Sequence, residues 1–305
     1  MSIRPIKSVS GTQATQEGAG VHLHRVFGFG DTDLSDPFLL MDDFRNDDPA
    51  HYSAGFPWHP HRGIETITYV LAGSVDHADS LGNSGSLGPG SVQWMTAGSG
   101  VMHQEMPKGD EHGRMHGFQL WANLPKSLKM TSPRYQDIPG SEVPEIVDDD
   151  GTVVRVVVGH FWGKQGPVDG VAADPQYLDI SLPPNTRKVL PVDTYRSAFA
   201  YIFEGTATFR DASKPVGVLV EKEVAGEELQ LRDYSGNRTL VMFDTGDEVV
   251  VNSGDNGVRF LLISGKPIQE PVAWHGPIVM NSQEEITQAL SDLKSGSFIT
   301  ENARR

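Results

Sequence analysis

Two short pairs of potential metal donors constrain this chain more than any other feature: His59-Pro60-His61 and, about forty residues later, His103-Gln104-Glu105. Successive side chains of a β-strand point to opposite faces, so residues two apart share a face. On strands, each pair therefore aims two donors the same way. Two such strands facing each other across a barrel or sandwich would bring three imidazoles and one carboxylate to a point. Imidazole suits Fe, Zn, Cu and Ni, and the added carboxylate favours an octahedral ion with positions left open. Glu65 has the strand parity of His59 and His61 and competes with Glu105 as the carboxylate. Gly63 lies between and could bend the strand, turning Glu65 away; spacing alone leaves both in play.

At 305 residues the chain is long enough for two domains, each with its own core. Its 33 Gly and 20 Pro, spread among short β-branched runs, suit an all-β protein with little helix. The balance of 25 basic against 40 acidic side chains, a formal charge of −15, repels phosphate backbones, so direct nucleic-acid binding is not expected. The absence of cysteine removes disulfides, thiolate nucleophiles, Fe–S clusters and cysteine zinc sites. Residues 1–7 lack an apolar signal core, and no apolar run approaches the ~20 residues that span a bilayer. A cytoplasmic monomer with no membrane partner is the expectation.

Residues 38–41 read as a buried strand, and residues 64–71, rich in Thr, Ile, Tyr and Val, as another that closes at Gly73. Gly98-Ser99-Gly100 turns the chain into the strand of His103 and Glu105, which Pro107 stops for want of a ladder donor. His22-Leu23-His24 repeats the ligand spacing without a second pair nearby and reads as an exposed strand face. The stretch 136–151, dense in Pro, Glu and Asp, separates a metal-binding domain at 1–135 from a second domain at 152–275. The second domain echoes the first: residues 69–73 match 201–205, and the strand 90–98 matches 246–254. Projected onto this copy, the ligand positions fall on Pro191, Asp193, Arg259 or Phe260, and Leu261, so no metal set is expected there. In the segment 276–305, Ser282 and Glu285 form a capping box ahead of Ile286, Ala289, Leu290 and Leu293, with Gly296 placed to end the helix.

The chain resembles the pirin family of the cupin superfamily. The residues that carry the likeness are 36–44, Gly55-Phe56-Pro57 with His59-Pro60-His61-Arg62-Gly63, Asp79-Ser80-Leu81-Gly82-Asn83 and Leu87-Gly88-Pro89-Gly90. Residues 92–98, His103-Gln104-Glu105-Met106-Pro107, Gly117-Phe118-Gln119-Leu120-Trp121 and 276–281 extend it over most of the length. The resemblance implies two β-sandwich cupin (jelly-roll) domains, with metal only in the first. It implies His59, His61, His103 and Glu105 as the ligands, thereby choosing Glu105 over Glu65, and Fe(II) as the ion, other divalent transition metals being accepted. The activity implied is flavonol (quercetin) 2,3-dioxygenation using O2; for that reaction Glu105 is the expected acceptor of the substrate proton, and Met106, Gln119 and Trp121 are candidate pocket walls. The alternative implied is an iron-dependent regulator acting through protein partners, a transcription factor or a metabolic enzyme. Trp58 departs from the family pattern and is expected to narrow the pocket mouth.

Overall fold

The computed structural model describes residues 2–212, 223–224, 227–228 and 235–299. Strand accounts for 54% of the chain and helix for 9%, so the all-β expectation holds. Two compact units interleave along the sequence. Among the described residues, one draws on Met1–Gly11, Glu145–Arg155 and Tyr177–Ser264, the other on Thr12–Pro144, Val156–Gln176 and Gly265–Arg305.

The second of these units contains both donor pairs and is a two-sheet β-structure. Its seven-stranded sheet runs, in spatial order, Arg134–Ile138, Val92–Thr96, Ile64–Ala72, His116–Asn123, Phe38–Asp43, Val21–Phe27 and Gln13–Glu17. The four-stranded sheet runs Phe56–His61, Val101–Lys108, Ser74–Asp79 and Ser84–Leu87. Phe38–Asp43 is buried along its whole length, as its apolar run requires, and Ile67, Tyr69 and Phe118 are fully enclosed in the same unit. Burial of each such side chain contributes on the order of 1.5–3 kcal/mol.

In the other unit, Ile6–Gly11, Thr239–Phe243, Ser197–Phe209 and Glu248–Gly265 are neighbours in a nine-stranded sheet. Phe260 and Leu261, onto which the donor positions project, are fully buried in its apolar core.

The C-terminal helix spans Gln283–Ser295 with the reciprocal Ser282–Glu285 capping box, and Gly296 ends it in the left-handed conformation at φ 77°. Ile286 and Ala289 are buried with Phe298 against the Ile278–Met280 strand, as the apolar spacing predicts. Leu290 departs from that pattern: it is 38% exposed, because the docked stripe is narrower than the apolar spacing suggests.

Candidate metal centre

Both donor pairs lie in one sheet. The strands Phe56–His61 and Val101–Lys108 run antiparallel, with His59 opposite His103 and His61 opposite Val101. They are therefore side by side, not across the sandwich from one another as the sequence reading had it. Adjacent strands hold same-face side chains about 4.5–5.5 Å apart at Cβ, which suffices to bring the rings together. A shift of register between His103 and Glu105 sets Glu105 opposite Phe56.

The donor atoms of His59, His61 and His103 lie within 4.8 Å of one another. Ring centroids are 4.9 Å (His59 to His61), 4.4 Å (His59 to His103) and 4.9 Å (His61 to His103) apart. His59 Nδ1 is 2.8 Å from the Pro57 carbonyl and His61 Nδ1 is 3.2 Å from the Pro277 carbonyl. A carbonyl only accepts, so each Nδ1 carries the proton, and in the neutral rings each Nε2 presents a lone pair. Those two Nε2 atoms face each other at 3.1 Å. Both nitrogens of the buried His103 lack a hydrogen-bond partner. Burial, with the neighbouring histidines, holds His61 and His103 well below the usual imidazole pKa and so keeps them neutral. Converging lone pairs and orphaned buried nitrogens are costly unless a cation lies between them, and the three histidines fit a divalent transition metal.

Glu105 is buried two residues beyond His103 but stands outside this three-histidine group. Its Oε1 accepts hydrogen bonds from Thr68 Oγ1 at 3.1 Å and Gln119 Nε2 at 3.2 Å, and Oε2 accepts from Gln119 Nε2 at 3.0 Å. Trp121 Nε1 donates to Gln119 Oε1 at 3.0 Å, which orients the Gln119 amide with its NH2 toward the carboxylate. Trp121 also packs edge-on to His61.

Glu65 lies on the opposite face of its strand from Thr68, the residue that reaches Glu105. It accepts from Thr96 Oγ1 at 2.7 Å, and burial pushes its pKa up to about 7 against the hydrogen bonds that favour its charge. Two sequence expectations are corrected here. Trp58 is out of phase with His59 and His61 and is 50% exposed, so it does not narrow the pocket. Met106, out of phase with Glu105, lines an open cleft of about 400 Å³ with Pro49, Tyr52 and Lys108 instead of the metal pocket. His22 and His24 are engaged by Gln16 and Thr12, and His22 stacks on His51 at 4.2 Å.

The sequence reading missed a second polar group on these inward faces. His77 pairs across the sheet with Glu105, lies 3.3 Å from Asp137 Oδ2, and stacks beside Tyr135. Burial lowers the His77 imidazolium, but Asp137, Glu105 and Asp79 outweigh it and hold the pKa above its usual value. Burial and the same carboxylates raise the Tyr135 phenol. The available signal was His77-Ala78-Asp79, a third spacing of two; what it lacked was any local hint of Tyr135 and Asp137.

The pirin family model matches residues 20–122, and that of the pirin C-terminal cupin domain matches residues 177–299. The chain is 42% identical to a pirin-like protein of Caulobacter vibrioides over 98% of this chain and 100% of that protein. It is 40% identical to a Pseudomonas aeruginosa protein provisionally named a quercetin 2,3-dioxygenase, over 92% of this chain and 93% of that one. Among solved structures, a quercetin 2,3-dioxygenase from Acinetobacter baumannii superposes with a TM-score of 0.83 at 29% identity, covering 97% of this chain and 99% of that one.

Proposed function

Because the chain belongs to the pirin family, we propose that it is an Fe(II)-dependent dioxygenase that opens the central ring of a flavonol such as quercetin with O2, releasing CO. The observation that carries this reading is the convergence of three imidazoles, two of them buried, beside a hydrogen-bonded carboxylate. The relatives named for quercetin dioxygenation support it.

His59, His61 and His103 would hold the ion, with Glu105 as the fourth ligand. The bound ion supplies Lewis acidity toward the 3-oxygen of the substrate. The Pro57 and Pro277 carbonyls fix the His59 and His61 tautomers, so the Nε2 lone pairs stay aimed inward. Glu105 takes the 3-hydroxyl proton, and Thr68 and Gln119 hold its carboxylate in place for that transfer. With O2, the deprotonated flavonol gives the ring-opened ester and CO, with no further oxidant required.

Oxygen uptake with quercetin by the Fe(II)-loaded protein tests this. Glu105→Ala is expected to lower the rate by about 10²–10⁴-fold. Equal rates would remove Glu105 from the mechanism, and no uptake by the wild type would remove the activity itself.

A further inference from the structure

We infer that Trp121, Trp274 and Phe29 form a stacking wall that selects planar aromatic substrates at this centre. The inference rests on the flavonol reading above and names what in this chain would impose that substrate class. Three rings run outward from His61: Trp121 at 5.1 Å between centroids, Trp274 a further 6.1 Å on, and Phe29 5.7 Å beyond that. They come from separate segments, the His116–Asn123 strand, the Ala273–His275 strand and the turn at residues 28–30.

Both indole N–H groups are already used within the protein, Trp121 on Gln119 Oε1 at 3.0 Å and Trp274 on the Gly276 carbonyl at 2.7 Å. These bonds fix the ring planes, and the ring surface not packed on the apolar core is what the indoles offer a ligand. Trp121 and Trp274 are only partly buried although they extend from the buried His61, and Phe29 at the outer end is 78% exposed. A contiguous aromatic strip leading from a metal ligand to solvent is the kind of apolar surface that marks a ligand-binding groove. A fused-ring enol chelating the ion could lay its remaining rings against the two indoles, which are tilted 33° to one another, with Phe29, at 74° to Trp274, bounding the outer end. A small aliphatic chelator would leave it uncovered.

Calorimetric titration of the metal-loaded protein under anaerobic conditions, with quercetin and separately with acetohydroxamate, a ringless chelator, tests the inference. Trp274→Ala is expected to weaken quercetin about tenfold and Phe29→Ala about two- to threefold. Acetohydroxamate affinity and metal content by elemental analysis should stay at wild-type values in both. Trp58→Ala, on the other face of its strand, should change neither ligand. Because Phe29 is exposed, its variant keeps the test valid if Trp274→Ala folds poorly. Equal quercetin affinity in the wild type and both variants would overturn the inference, as would a wild type that binds acetohydroxamate but not quercetin. Quercetin binding that depends on Trp274 without oxygen uptake would leave the wall standing and remove the dioxygenase reading.

Discussion

Glu65 and Glu105 are both buried carboxylates in the same unit, and their partners set them apart. Glu105 receives hydrogen bonds from Thr68 and Gln119 beside the histidines, whereas Glu65 accepts from Thr96 on the far side of its strand and has a pKa of about 7. The folded pKa of Glu65 is raised above the ordinary 4.5, so its contribution to stability is fully present below pH 4.5 and is lost as pH rises through about 7. That gap corresponds to about 3 kcal/mol. Glu65→Gln keeps an acceptor for Thr96 and removes the charge. Its urea midpoint should exceed that of the wild type at pH 8, with the advantage shrinking by pH 5. Parallel pH profiles for the two proteins would show that Glu65 does not titrate in this window. At this scale the sequence made the candidates legible but not their roles, because parity along one strand cannot report what packs on either face.

The turn joining Phe56–His61 to Ile64–Ala72 ties the strand of His59 and His61 to the C-terminal segment. Arg62 donates to Asp292 at 2.6 Å, to the Phe298 carbonyl at 2.9 Å and to the Ser99 carbonyl at 2.8 Å, and it lies over the Phe298 ring. The buried Lys129 ammonium donates to the carbonyls of Gly63 and Val279 and to Asn123. Gly63 sits at φ +77°, and a Cβ there would lie 2.0 Å from the Val279 carbonyl oxygen. Gly63→Ala should therefore destabilise the protein by about 2–4 kcal/mol, through both the left-handed backbone and the clash. A thermal unfolding midpoint unchanged from wild type would mean that the Ile278–Met280 strand yields without cost. The helix beyond it was legible in advance, because a capping box and a terminal glycine act within one turn. Its attachment beside the strand of His59 and His61 was not, since Arg62 and Asp292 are 230 residues apart.

For the whole molecule, an ion held by the histidine group would make metal binding and folding one equilibrium, because the unfolded chain does not hold its donors together. An ion at one hundred times its dissociation constant stabilises the native state by about 2.7 kcal/mol. The unfolding midpoint should rise with added Fe(II) or Ni(II) and fall on chelation, and a His59→Ala/His103→Ala double variant should respond to neither. A double variant that still shifts with metal would place the binding elsewhere. What the sequence alone determined is the β-rich composition, the spacing of two that put His59 with His61 and His103 with Glu105, and the capped helix. All of these are written in periods and end signals a few residues long. Only the tertiary structure decided that the two donor strands are neighbours in one sheet, that Glu65 faces away, and that positions 29, 121 and 274 form one aromatic strip. The physical reason is that strand pairing and register across tens to hundreds of residues are chosen by burial of the whole core, and no local pattern encodes that choice.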